Sequence, residues 1–175
     1  TVAIRAPAHP VAQELLRKFK GGVVAPSANR FGKVSPTSAA DVRNEFEDTK
    51  DLVILDGGDC EVGIESTIID CTGSNPKILR PGAITEAMIN EVTGLEVESV
   101  LRSEIRVSGS LENHYAPEAQ VLLDVTPQPG DGFIALADIP TPPGVIRLAE
   151  PKSDEAFAYL LYAALREGDA KGLNR

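Results

Sequence analysis

Short apolar runs, each closed by proline or glycine, alternate with amphipathic stretches, and this alternation limits the chain to few architectures. TVAIRA (1–6) ends at Pro7, residues 22–25 end at Pro26, and LVILD (52–56) ends at Gly57-Gly58. Each has the length of a buried strand. Between the first two, Pro7 and Pro10 lead into VAQELLRKFK, where Val11, Leu15, Leu16 and Phe19 fall near a 3.6-residue period before Gly21-Gly22. That pattern predicts a helix. Thr37 or Ser38 is placed to cap a second helix through AADVRNEFED, with Asp41 favourable in its first turn. STIIDCT and PKILRPG flank GSN, a hairpin signal. Thr85 then caps EAMINEVTG, which Gly94 stops. Strands and helices in this order predict an α/β domain over residues 1–100.

A second unit begins near residue 119. VLLD and GFIALA read as strands around TPQPGDG, PTPPG breaks the chain, and GVIRL reads as a third strand. SDEAFAYLLYAALREGD is an amphipathic helix with Ser153 as its cap. Residues 119–175 therefore read as the opening of a parallel βαβ-type domain, and 101–118 as a linker carrying the His114-Tyr115 pair. The chain opens on TVAIRA without methionine, so a piece of a longer protein is expected.

Composition narrows the function classes. Over 175 residues, 42% hydrophobic and 25% charged is ordinary for a chain with a sizeable core. No stretch approaches the roughly 18 apolar residues of a membrane helix. A net charge of −9 lowers the odds of a dedicated nucleic-acid binder, which ordinarily shows a basic face, and favours small-molecule chemistry. Cys60 and Cys71 are too few for a disulfide framework and lack zinc-site spacing, so they read as two buried thiols in a cytosolic protein. His9 and His114 lie far apart without ligand-spaced neighbours, so no histidine metal site is expected. Neither a P-loop nor a Gly-x-Ser-x-Gly elbow is present.

Four places carry candidate chemistry. APSANRFGKVSPT puts Ser27, Asn29, Arg30, Lys33 and Ser35 in one loop between a strand end and a helix start, a natural anion site. In LDGGDCEVGIESTIID the glycines let backbone approach a ligand closely, and of Ser66 and Thr67 only one can face a given cleft. Arg80, ending ILR before Pro-Gly, is placed to fork a carboxylate or phosphate. Arg5, within an apolar run, wants an anionic partner if buried; Asp56 or Glu65 would be structural alternatives to a ligand.

RAPAHP, APSANRFGKVSPTSAADV, LDGG…GIESTIID and ILRPGAI, in this order, resemble the YrdC-like family of threonylcarbamoyl-AMP synthases. SGSLENHYAPEA resembles the interdomain linker of its two-domain members, and LLYAALREGD the opening of their C-terminal domain. The resemblance implies a twisted mixed-sheet α/β catalytic domain, of which 1–100 is the later portion, followed by the start of a smaller Rossmann-like α/β domain. It implies condensation of L-threonine, bicarbonate and ATP to threonylcarbamoyl-AMP with release of pyrophosphate, Mg²⁺ bridging the phosphates, in the cytoplasm. A downstream complex would then transfer the threonylcarbamoyl group to tRNA.

The resemblance also assigns residues. Thr1, Ser27, Asn29, Ser35, Arg80 and Tyr115 fall on the ATP side, Arg5, Ala25 and Ser66 on the threonine side, and His114 in a linker lid. No nucleophilic side chain is implied. The family's Lys-x-Arg motif would lie upstream of Thr1, so ATP binding by this stretch alone is expected to be weak. Leu111 and Glu112 depart from the basic or aromatic residues of many members. Two other readings remain: an RNA-binding translation or ribosome-maturation factor of the same fold, with at most weak RNA binding, and a related carbamoyl-transfer domain.

Overall fold

The computed structural model describes residues 2–99 and 116–175. Helix α1 (Pro10–Phe19) starts where His9 Nδ1 accepts from the Val11 amide, with Pro10 at the first helical position and Lys20 closing in the left-handed region. Helix α2 (Ala39–Glu45) opens with a capping box: Ser38 accepts from the Asp41 amide while the Asp41 carboxylate accepts from the Ser38 amide. Of the two proposed caps, Ser38 is the one used.

Strand β1 (Ile68–Asp70) pairs antiparallel with β2 (Lys77–Arg80), matching Ile69 with Ile78 and Asp70 with Lys77 around a bulge at Ile68/Ile69. Helix α3 (Glu86–Thr93) is capped by Thr85 and stopped by Gly94 in the left-handed region. It leads to β3 (Glu98–Ser99), which lies parallel to β2 and completes a mixed three-stranded sheet. Ile78, Ile89 and Val97 are buried together, with Ile69 packed on them. The hairpin and the helix follow the sequence, and the mixed sheet follows what the resemblance implies, although β3 itself was not read as a strand.

The second unit pairs β4 (Gly132–Ile134) with β5 (Ile146–Ala149) in parallel, and α4 (Asp154–Ala170), capped by Ser153, packs on both. The parallel pairing was expected; the connection between the strands, however, contains no helix. Arg147 stabilises it instead, donating to the Ala135 and Leu136 carbonyls at 2.7 and 2.8 Å and stacking on Phe133.

Four expected strands do not form. Residues 2–6, 22–25, 52–56 and 121–124 are not in strands, and the first three have no ladder partner among the described residues. Much of their apolar surface is exposed: Ile4 is 85% exposed, Val24 95% and Val53 81%. Alternation in sequence marks strand propensity, but only a neighbouring backbone makes a strand. In VLLD, Asp124 turns into the left-handed region at φ 55°, which ends any extended run. The cysteines also differ from expectation, since both Cys60 and Cys71 are exposed free thiols. Among the described residues, no helix is long and apolar enough to cross a membrane.

Candidate functional site

Two concave regions stand out. The larger, about 670 Å³, is a groove between α2 and α4 whose cations are already paired with its carboxylates. Lys33 pairs with Glu118, and Arg166 pairs with Asp41 and Glu45. The smaller, about 440 Å³, gathers Arg5, Ser27, Ser35, Glu65 and Ser66, three of the four stretches singled out in the sequence. Chemistry favours the smaller one, because it gathers serine hydroxyls around a cation that has no partner among the described residues.

Each wall is set by local structure. Ser27 and Ser35 stand in the loop between residue 25 and α2, and the Ser35 Oγ donates to Glu65 Oε1 at 2.6 Å. Glu65 in turn lies 3.7 Å from Arg80. Arg80 donates through Nε and Nη2 to the Ser66 carbonyl at 3.0 and 2.9 Å, and through Nη2 to the Ser66 hydroxyl at 3.3 Å. The 63–66 segment is held from behind at Gly82, where a Cβ would stand 2.5 Å from the Thr67 nitrogen. Only glycine fits so near a backbone. Ser66 faces the cavity, whereas Thr67 turns away and exchanges hydrogen bonds with Ile84, as alternation requires. Gly57 and Gly58 form part of the rim, fixed by His9 Nε2 on the Gly57 carbonyl at 3.3 Å. The neutral histidine with its proton on Nε2 satisfies this bond and the α1 cap together.

Arg5 is the only cation lining this cavity among the described residues. It is exposed rather than desolvated, which corrects the expectation of a buried arginine. Its structural alternatives are spoken for: Asp56 pairs with Arg43 at 3.5 Å, and Glu65 with Ser35 and Arg80. Arg5 itself makes no hydrogen bond or ion pair among the described residues, so its guanidinium is available to an anion.

Other candidates are placed differently. Asn29 braces its own loop, donating to the Arg30 and Lys33 carbonyls at 3.0 and 2.9 Å, and Arg80 acts through Ser66 rather than lining the cavity. Arg30 is engaged by Glu45 and Asp48, and Lys33 by Glu118, so neither offers charge to the cavity. In an acidic chain, nearby carboxylates capture these two cations. Ala25 is exposed, next to the lining Pro26. Thr1, His114 and Tyr115 lie outside the described residues.

Sequence reasoning had considered Glu65 only as a structural partner of Arg5, whereas it holds Ser35 and Arg80, and it missed Tyr162 altogether, a residue of α4 that lines the cavity from the second unit. No local pattern marks Tyr162, since its neighbours at the site are about a hundred residues away in the chain. Among the described residues, no group of three or more His, Cys, Asp or Glu side chains is arranged to hold a metal ion.

Two family models match the chain. One described as telomere recombination covers residues 1–82, and one described as the threonylcarbamoyl-AMP synthase C-terminal domain covers 84–174. The threonylcarbamoyl-AMP synthase of Pyrococcus abyssi is 39% identical over 128 residues, 70% of this chain and 37% of the relative. That of Bacillus subtilis is 41% identical over 127 residues, 70% of this chain and 36% of the relative. The crystal structure of P. abyssi Sua5 complexed with L-threonine matches with a TM-score of 0.79 and 31% identity, over 99% of this chain and 56% of that one. The chain thus spans just over a third of the length of these curated relatives.

Proposed function

The chain belongs to the YrdC-like threonylcarbamoyl-AMP synthase family, and we propose that its smaller cavity is the part of a synthase site that receives L-threonine and faces the nucleotide. The reaction condenses L-threonine, bicarbonate and ATP to threonylcarbamoyl-AMP, pyrophosphate and water. One observation carries this reading: Arg5, Ser27, Ser35 and Ser66 converge on one 440 Å³ cavity whose single cation is unpaired among the described residues. A solved relative described as complexed with L-threonine supports the same assignment.

Arg5 pairs with the threonine carboxylate through its planar fork, and Ser66 hydrogen-bonds the same substrate beside the Ala25 backbone. Ser27 and Ser35 face the nucleotide. Asn29 serves that side indirectly, by holding the loop, while Arg80, expected on the nucleotide side, holds Ser66 in place on the threonine side. Such a site works by orientation and charge stabilisation, with no nucleophilic side chain. Mg²⁺ enters with ATP as the magnesium–nucleotide substrate. A cytoplasmic location and a downstream complex that moves the product to tRNA belong to this reading as well.

Titration of the full-length protein with L-threonine, and separately with ATP, tests it. Saturable binding of both is expected, with threonine binding lost in Ser66→Phe and ATP binding weakened in Ser27→Phe. A protein that binds neither ligand contradicts the proposal.

A further inference from the structure

Helix α4 belongs to the second unit, yet it touches both rims of the cavity in the first. On one side Arg166 reaches into the loop before α2. Its Nη1 donates to the Val34 carbonyl at 2.7 Å, and its Nη2 donates to Glu45 Oε2 at 3.0 Å and reaches the Asp41 carbonyl at 3.4 Å. Its Nε lies 3.4 Å from Asp41 Oδ1. The other oxygen of that carboxylate accepts from the Thr37 and Ser38 amides, both at 3.1 Å. On the other side the Tyr159 backbone lies on Gly63, where a Cβ would stand 2.3 Å from the Tyr159 carbonyl oxygen. Gly63 is two residues from Glu65, and Val34 is adjacent to Ser35.

The two rims are irregular loops, whereas α4 is a helix of 17 residues seated on its own strands. Loops take their geometry from the rigid element they rest on. Arg166 is the strongest of these attachments, because a charged fork with several acceptors is short, directional and only partly open to water. Its side chain is 17% exposed and that of Glu45 9%.

We infer that Arg166 is a positioning residue for the cavity: α4 clamps the 33–38 loop through Arg166 and the 63–66 segment through Gly63, setting the separation of Ser35 from Glu65 and Ser66. The second unit is therefore part of the machinery that shapes the substrate site. This inference rests on the cavity being the substrate site, but the clamp itself can be read without substrate.

The test compares Arg166→Met and Arg166→Lys with the unaltered full-length protein. Two quantities are read: hydrogen exchange at the Thr37 and Ser38 amides, and threonine affinity. Arg166→Met should speed exchange at those amides about tenfold or more and weaken threonine binding about tenfold, with the lysine variant between the two. A purely stabilising contact would lower the melting temperature without this local change. If Arg166→Met does not fold, Gly63→Ala attacks the opposite rim and must weaken threonine binding in the same direction. Unchanged exchange in a folded Arg166→Met protein, or unaltered threonine affinity in folded Gly63→Ala, overturns the clamp. Faster exchange in a protein whose unaltered form binds neither threonine nor ATP upholds the clamp and removes the synthase reading instead.

Discussion

Ser35 and Glu65, 30 residues apart in the chain, are joined across the cavity by a 2.6 Å hydrogen bond from the serine hydroxyl to the carboxylate. Glu65 also faces Arg80, so one carboxylate ties the loop before α2 to the strand end beneath Ser66. Glu65→Ala leaves the Ser35 hydroxyl without its acceptor and Arg80 without its carboxylate, although Arg80 keeps the Ser66 carbonyl. With these groups largely shielded, the loss should be about 1–3 kcal/mol of stability, together with weaker threonine binding. Urea unfolding and calorimetry measure the two effects, and an equally stable variant with full affinity would remove Glu65 from the site.

Arg5→Ala should behave in the opposite way. Because Arg5 is exposed and makes no ion pair among the described residues, stability should change by less than about 0.5 kcal/mol. Threonine affinity should fall roughly ten- to hundredfold, the worth of one charge-assisted contact. Loss of stability with intact threonine binding would make Arg5 structural.

The helices were legible in the sequence because their signals are local. Ser38 with Asp41, Thr85, Ser153 and Gly94 each act within a few residues, and each does what its position implies. The strands at 2–6, 22–25 and 52–56 were misread because a ladder depends on a distant neighbour that no local pattern encodes. The site divides in the same way. Ser27, Ser35, Ser66 and Arg5 stand in unusual local contexts, and the structure brings them to one cavity. Arg166, 132 residues from the Val34 carbonyl it holds, looks in sequence like any cation on an amphipathic helix.

The Lys33–Glu118 pair ties the first unit to the end of the linker and should give a defined pH dependence. The lysine hydrogen bond holds the Glu118 carboxyl below its usual range, and the same bond raises the Lys33 ammonium. A depressed carboxyl stabilises above its unfolded pKa and loses that contribution as pH falls through the folded value. A raised lysine stabilises below its unfolded pKa and loses the contribution as pH rises through its folded value. The melting temperature of Glu118→Gln should therefore fall below that of the unaltered protein at about pH 7, with the gap closing toward about pH 3. A gap independent of pH would show that the pair contributes through packing alone.

Cys60 provides a probe of the loop beside the cavity. Although the residue is exposed as a whole, the atoms packed around its sulfur desolvate the thiolate and push the thiol pKa up, and the Asp59, Asp41 and Glu65 carboxylates add to the effect. Since only the thiolate reacts, Cys60 should be alkylated by iodoacetamide more slowly than a free model thiol at about pH 8. Glu65→Gln removes one of those charges and should speed the reaction. A Cys60 that reacts as fast as the model thiol would contradict the electrostatics described for this rim.

Pyrophosphate release from ATP by the full-length protein tests the central claim most directly. Release should require L-threonine and bicarbonate together, and it should collapse in Arg5→Ala while that variant keeps its fold. Pyrophosphate formed equally well without threonine, or none formed with all three substrates present, would contradict the assignment.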